Sequence, residues 1–166
     1  RGHQVENFSI PFKWYPPERI LDHLLACRLL DITESCGSRI DLMIGLKFPA
    51  FHIPHHHKNL WIVHQHRQAY DLWDHPQARD LIDDPNGAQI RDAVRAADDQ
   101  FLSEANGIYT ISHVVSKRLR RYNGIESEAL YHPPPAAEEL FTAEPESYLF
   151  YPSRLSKMKR QALVIE

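Results

Sequence analysis

The sequence predicts an α/β fold, a Rossmann-like parallel sheet with helices on both faces. Short apolar runs of strand type alternate with longer segments of helical spacing along the chain. Parallel neighbours need a crossover connection, and a helix is the usual one. A length of 166 residues with 43% hydrophobic residues suits one domain with an ordinary core.

The first half of the chain contains four predicted elements. Alternating apolar residues make 4–12 a strand candidate. Apolar residues at mostly three- and four-residue spacing then predict a helix at 18–36, with Gly37 as its stop. Strands are predicted at 41–46 and 60–63.

The second half continues the alternation. The predicted elements are a helix at 86–105, a strand at 108–111, a helix at 112–122, and strands at 126–131 and 149–151. Ligands of open parallel sheets bind at the carboxyl ends of the strands, where His64, Ser112 and the loop at His132 converge. The chain has no Gly-x-Gly-x-x-Gly pattern, which disfavours a nicotinamide dehydrogenase.

Charge and cysteine content narrow the functional class. The formal net charge of −3 argues against a general nucleic-acid or membrane-surface protein, and nucleic acid is not an expected partner. No apolar run reaches the length of a membrane span, and the start has no signal-peptide pattern. Cys27 and Cys36 lie too far apart on one continuous helix to pair, so reduced thiols and a cytoplasmic location are expected.

The last nineteen residues read as a strand, a tight loop and the start of a helix. Tyr148 to Tyr151 is an aromatic run of strand type, and an apolar helix face begins at Ala162. Between them, Arg154 and Lys159 stand near the helix start, where the helix dipole disfavours cations. This placement predicts that an anion binds there.

These residues carry a resemblance to a known family. The pattern Ser153-Arg-Leu, Lys159 and Leu163-Val-Ile-Glu resembles the opening of the nucleotide-sugar domain in retaining glycosyltransferases of family 4, which have two Rossmann domains (the GT-B fold). That family usually has Gly-Arg-Leu and Lys-Gly, so Ser153 and Arg160 depart from its pattern. His64 after its strand, Ser112 before its helix, and the stretch 128–135 resemble the family's N-terminal domain, in the family's order.

The resemblance implies transfer of a sugar from a nucleotide-sugar donor to an acceptor hydroxyl, with retention at the anomeric carbon. It implies that Arg154 and Lys159 contact the donor diphosphate and that His64 is catalytic, orienting the sugar or stabilising charge near the anomeric carbon. Two cations neutralise a diphosphate without a metal. We therefore expect neither a metal nor a cofactor, with the nucleotide sugar as co-substrate.

Four residues are candidates for the acceptor side. Trp14 and Tyr70 are aromatic residues in loops near the predicted cleft, although such residues more often pack in the core. Lys13 and Arg67 are candidate partners for acceptor hydroxyls or an acceptor anion. The acceptor is a sugar, a lipid-linked molecule or another hydroxyl compound, and the resemblance leaves weak peripheral membrane contact open.

The expected domain organisation follows from the same resemblance. Residues 1–135 form an N-terminal, acceptor-side Rossmann-like domain, 136–147 a linker, and 148–166 the start of a truncated donor-side domain. The family uses a pair of glutamates in its second domain, and that stretch is not in this sequence. We expect the 166-residue chain alone to be inactive in sugar transfer.

Two alternatives make the protein a non-catalytic binding module. Six histidines fall within residues 52–66 and suggest a metal site: His52, His55, His56, His57, His64 and His66. Three of the six are consecutive, and no zinc-type spacing accompanies them. A basic run suggests an anion site: Lys117, Arg118, Arg120 and Arg121. Cations at a helix C-terminus also have a structural reason, because they complement the helix dipole.

Overall fold

The computed structural model describes residues 2–165 and divides into two compact units, Arg1–Tyr131 and His132–Glu166. The helices of the first unit are α1 (Arg19–Leu29), α2 (Gly87–Phe101) and α3 (His113–Asn123). Its strands are β1 (Glu34–Ser35), β2 (Ser38–Arg39), β3 (Met43–Gly45), β4 (Lys58–Ile62), β5 (Gly107–Thr110) and β6 (Glu128–Ala129).

Four of these strands form one parallel sheet in the order β3-β4-β5-β6. The connection from β4 to β5 contains α2, and the connection from β5 to β6 contains α3. The sheet and its flanking helices confirm the prediction of a Rossmann-like α/β fold.

The core lies between the sheet and the helices. Leu60 and Ile62 of β4 are fully buried and belong to one apolar cluster with residues of all three helices: Ile20 and Leu24, Ile90 and Val94, and Val115 and Leu119. Because the strand order follows the chain order, right-handed crossovers place α2 and α3 on the same face. The three long helices of this unit all contribute to this one cluster.

The opposite face of the sheet carries the alternate side chains. Trp61 pairs in register with Tyr109, and both are half-buried. Ile44 of β3 is exposed. The Trp61 indole Nε1 donates to the Leu130 carbonyl at 2.8 Å, so this side chain spans from β4 to the residue that follows β6.

The amino end of β4 is anchored by charged side chains. Lys58 is fully buried, and its Nζ donates to the Phe101 carbonyl at 3.1 Å and to Glu104 Oε2 at 3.0 Å. Arg28 of α1 holds the same carboxylate through two hydrogen bonds and donates to the His52 carbonyl at 2.7 Å. One carboxylate therefore connects α1, β4 and the 3₁₀ turn after α2.

Helix α3 is capped at both ends as its sequence predicts. The Ser112 hydroxyl accepts from the Val115 amide at 3.4 Å, and Gly124 ends the helix in the left-handed conformation with φ of 66°. The predicted helix at 112–122 is thereby confirmed. Within residues 2–165, no helix combines the length and apolar character needed to cross a membrane.

Two predictions in the first fifty residues are wrong. Residues 4–12 form no strand, and Val5 and Phe8 of that segment are exposed. The predicted helix at 18–36 ends at Leu29, because Leu30 adopts an extended conformation. The antiparallel hairpin of β1 and β2 follows, with Cys36 and Gly37 at positive φ in its two-residue turn.

This hairpin contains one of the two cysteines. Cys36 lies exposed in the turn and not on the helix, whereas Cys27 is buried on α1. Both are free thiols, and burial raises the pKa of Cys27 to about 11. The prediction that Cys27 and Cys36 lie on one continuous helix is therefore wrong, because the helix ends at Leu29 and Cys36 lies in the hairpin turn.

The second unit contains little regular structure within residues 132–165. It has two 3₁₀ turns, Ala137–Glu139 and Lys157–Lys159, and the short helix α4 (Ala162–Ile165). The predicted strand at 149–151 is wrong, since these residues are exposed and pair with no strand among the described residues.

Candidate functional site at the carboxyl end of the sheet

His64 lies two residues after β4, at the carboxyl end of the sheet, and its side chain is exposed. Its Nδ1 is 2.8 Å from the Gln65 carbonyl oxygen. A carbonyl only accepts, so Nδ1 carries the proton in this contact. Among the described residues Nε2 has no hydrogen-bond partner, which leaves its lone pair open to a donor such as a hydroxyl group.

The start of α3 lies at the same end of the sheet. Ile62 pairs with Thr110, and His64 and Ser112 each follow their strand's last paired residue by two positions. The His113 amide at the start of α3 donates to the Tyr131 hydroxyl at 3.5 Å. His64 and Ser112 therefore lie at the carboxyl ends of neighbouring strands, as expected, whereas His132, the third residue of that expectation, begins the second unit.

The loop after His64 contains an ion-pair cluster. Arg67 donates to both carboxylate oxygens of Asp71, with Nη2 2.6 Å from Oδ2, and Arg118 Nε lies 3.4 Å from the same oxygen. Burial acts to raise the pKa of Asp71, but the hydrogen bonds from Arg67 and the charges of Arg118 and Arg67 outweigh it and lower that pKa. The predicted acceptor residue Arg67 is thus already paired, and the cluster carries a net positive charge.

The predicted acceptor residue Tyr70 lies inside the core. Its hydroxyl donates to Asp98 Oδ2 at 2.7 Å and accepts from Asn123 Nδ2 at 3.1 Å. Burial and the neighbouring Asp98 carboxylate raise the pKa of Tyr70 well above its ordinary range. The other oxygen of Asp98 accepts from His52 Nε2 at 2.7 Å, and both of these side chains are fully buried. Tyr70 therefore belongs to a buried polar network behind the loop.

His66 lies on the inner side of the same loop. Its ring packs against Phe48 at 5.1 Å between centroids and meets the edge of Phe12 at 6.3 Å. Burial, and then the charge of His64, lower the pKa of His66 to about 4. His66 is neutral at pH 7 and acts there as a packing residue.

Lys13 and Trp14 lie in the irregular segment before α1 and are exposed. The Trp14 ring lines a small hollow together with His66 and Gln68, so the structure brings it next to the loop that follows His64. The Lys13 backbone amide donates to His23 Nε2 at 3.1 Å, while its ammonium lies 5.2 Å from the centre of the Tyr15 ring. The acceptor roles of these two residues stay predictions.

Arg154 and Lys159 lie in the second unit, and both are exposed. Gln161 Nε2 donates to the Arg154 carbonyl at 2.7 Å, and the Tyr151 hydroxyl donates to the Lys159 carbonyl at 2.7 Å. Arg160 adopts the left-handed conformation, with φ of 57°. This conformation is one that glycine adopts more readily than other residues.

The histidines next to β4 are already engaged in local structure. His55 Nδ1 accepts from the His57 amide at 3.0 Å, and its Nε2 donates to the Ile40 carbonyl at 3.1 Å. His57 Nδ1 lies 3.2 Å from the Asp41 carbonyl, and the rings of His55 and His56 stack at 4.3 Å. Within residues 2–165, no group of three or more His, Cys, Asp or Glu residues is arranged to hold a metal ion.

The basic run on α3 does not form one surface. Arg118 turns inward to Asp71, whereas Arg120 Nε lies 2.9 Å from Glu126 Oε1 on the exposed side. Arg121 packs over the Tyr122 ring, with 5.2 Å to the ring centre. These separate contacts, together with the position of Arg120 and Arg121 in the last turn, agree with the structural reason for the run.

The sequence reasoning missed the buried network behind the loop, formed by His52, Gln65, Asp98 and Asn123 together with Tyr70. One signal for it was present. Ile90, Val94 and Asp98 follow one another at four-residue spacing on α2, which places a carboxylate on the apolar stripe of the helix. A buried carboxylate needs partners, so this spacing predicts a polar network in the core.

Comparison of the chain with protein-family models, with curated proteins and with solved structures gave no match.

Proposed function

We propose that the protein is the acceptor-side part of a retaining, nucleotide-sugar-dependent glycosyltransferase of the family 4 type, joined to the beginning of its donor side. The observation that carries the proposal is His64. It is an exposed imidazole at the carboxyl end of a strand in a Rossmann-like sheet, with Nδ1 engaged and Nε2 open to a hydroxyl donor. Ligands of such sheets bind at this end.

A second observation supports the donor side of the proposal. The family's lysine is followed by glycine, and residue 160, which follows Lys159 here, adopts the left-handed conformation that glycine favours. The backbone at this position therefore has a conformation that glycine adopts readily, although the residue here is arginine. Arg154 and Lys159 are both exposed, lie five positions apart and have no acidic residue between them.

In the proposed reaction, the bond between the anomeric carbon and the diphosphate oxygen breaks. The bond to the acceptor oxygen forms on the same face of the sugar, and the acceptor hydroxyl passes its proton to the leaving diphosphate oxygen. Negative charge develops on the leaving diphosphate, and Arg154 and Lys159 stabilise it. His64 Nε2 accepts a hydrogen bond from a sugar hydroxyl and so orients the ring. Arg67 and Trp14 border the acceptor. No cofactor takes part.

The test is whether the 166-residue chain binds a donor. NMR spectra monitor binding while uridine, guanosine and adenosine diphosphate sugars are titrated in. We expect saturable binding of at least one of them, with a dissociation constant of about 1 mM or lower. Arg154→Ala and Lys159→Ala each weaken it about tenfold, because each removes a charge-assisted contact to phosphate. Lys157→Ala is the matched control and leaves affinity unchanged.

The absence of binding by every donor would contradict the proposal. An equal loss in Lys157→Ala would also contradict it, because binding would then reflect only the positive charge of the segment.

A further inference from the structure

We infer that Gln65 and Asn123 are positioning residues that select, for the neutral His64 ring, the tautomer with its proton on Nδ1. The inference follows from hydrogen-bond direction, and its consequence for sugar binding rests on the proposed function. Neither residue stood out in the sequence as part of a site.

The contact of His64 with the chain is directional. Its Nδ1 lies 2.8 Å from the Gln65 carbonyl oxygen, an atom that only accepts. The tautomer of His64 therefore depends on where the backbone of residue 65 is held. Because the His64 side chain is exposed, no burial of its own fixes the ring.

The Gln65 side chain is what holds that backbone. It is fully buried, and its Nε2 donates to Asn123 Oδ1 at the end of α3. The other end of the Asn123 amide lies 2.6 Å from Asp99 Oδ1. A carboxylate only accepts, so this end of Asn123 is the NH₂ group and its oxygen faces Gln65.

The chain of hydrogen bonds continues into the core. Asn123 Nδ2 also donates to the Tyr70 hydroxyl, which donates to Asp98, and Asp98 accepts from His52 at its other oxygen. Two carboxylates, Asp98 and Asp99, thus fix the direction of each bond as far as Gln65. Asp98 is fully buried and Asp99 is exposed, and together these two acceptors leave the Gln65 side chain one orientation of its hydrogen bond to Asn123.

The consequence for the site is the state of His64 Nε2. In an unrestrained neutral histidine either nitrogen carries the proton. With Nδ1 engaged, Nε2 presents a lone pair and accepts from a hydroxyl group. If the hydrogen bond between the Gln65 side chain and Asn123 is lost, the Gln65 carbonyl is no longer held next to His64 Nδ1. The tautomer with the proton on Nε2 then becomes populated beside the Nδ1-protonated form, and in it Nε2 is a donor.

The test is NMR of the chain with ¹⁵N-labelled histidine, in which the shifts of the two ring nitrogens report the tautomer. His64→Ala identifies the signals of His64. Gln65→Met keeps the side-chain volume but removes the Nε2 donor, and we expect the ratio of the Nδ1-protonated to the Nε2-protonated form to fall about fivefold. Gln100→Met makes the same change at an exposed position of α2 and leaves the ratio unchanged.

A wild-type His64 that is mainly protonated on Nε2 would overturn the inference, as would an unchanged ratio in a folded Gln65→Met. If Gln65→Met loses its circular dichroism signal, Tyr70→Phe replaces it, because this change removes one link while the contact between Asn123 and Asp99 stays. A smaller shift in the same direction is expected there, and no shift would overturn the inference.

The readout needs neither donor nor acceptor. A tautomer shift without donor binding would therefore count against the proposed function alone, and donor binding with an unchanged tautomer against the inference alone.

Discussion

The two ends of the parallel sheet use the same device, a carboxylate between two cations. At the amino end of β4, Glu104 lies between Arg28 and Lys58. At the carboxyl end, Asp71 lies between Arg67 and Arg118. Each cluster has one negative and two positive groups, so the difference between them comes from burial and attachment.

The amino-end cluster is built into the fold. Lys58 is fully buried and also binds the Phe101 carbonyl at the end of α2, and burial lowers its pKa although Glu104 acts in the opposite direction. At the carboxyl end, the side chains of Arg67 and Asp71 are 37% and 24% exposed. Glu104 is 36% exposed, so the contrast rests on Lys58: its buried ammonium anchors the strand, whereas the carboxyl-end cluster has no fully buried charge.

The largest effect is expected from removal of the carboxylate at the amino end. Glu104→Ala leaves the buried Lys58 ammonium with only a carbonyl partner, and the free energy of unfolding falls by about 3 kcal/mol. Urea denaturation measures the change. Lys58→Met is the matched control, since it removes the charge together with its desolvation cost, and a change below about 1 kcal/mol is expected. Equal losses in the two variants would contradict this account.

The second effect is a pH dependence at the carboxyl end. The pKa of His66 is lowered from 6.5 to about 4, so between these values the folded state binds fewer protons than the unfolded state. The stability that neutral His66 contributes is fully present well above pH 6.5 and has fallen by about 2 kcal/mol at about pH 5. Thermal unfolding across this range measures it. His66→Phe flattens the profile, whereas the same change at the exposed His3 does not.

The smallest effect is expected from the carboxyl-end carboxylate. Asp71→Asn removes the partner of two cations that are partly in water, and the free energy of unfolding falls by about 1 kcal/mol. Asp83→Asn, which breaks the exposed pair with Arg79, is the control with an expected change of about 0.3 kcal/mol. A loss at Asp71 as large as that in Glu104→Ala would remove the contrast between the two ends.

The elements predicted well are those whose local signals agree with their packing. For α3, the N-cap Ser112 and the stop at Gly124 are both used in the structure. For β4, the apolar run gives strict alternation of buried residues. Other predicted elements had an apolar pattern but no surface to pack against. The strands predicted around Val5 and Leu149 are absent, the helix predicted at 18–36 ends at Leu29, and these three side chains are exposed.

The candidate site was predictable only in part. His64 was found because it follows a strand, and a strand end is a local property of the sequence. The anchoring of Gln65 by Asn123 joins residues 58 positions apart, and no spacing rule connects them. Arg118 was noticed as part of a basic run, but its pairing with Asp71 depends on how α3 packs beside the loop.

The hydrogen bond from the Trp61 indole to the Leu130 carbonyl makes Trp61 fluorescence a probe of the β6 edge of the sheet. Strand β6 has only two residues, so it is the short edge of the sheet and the strand expected to separate first. Separation would leave the indole facing water instead of a carbonyl, and its fluorescence would change before the helices melt. With Trp14 and Trp73 replaced by Phe, the remaining emission would follow the opening of a single strand.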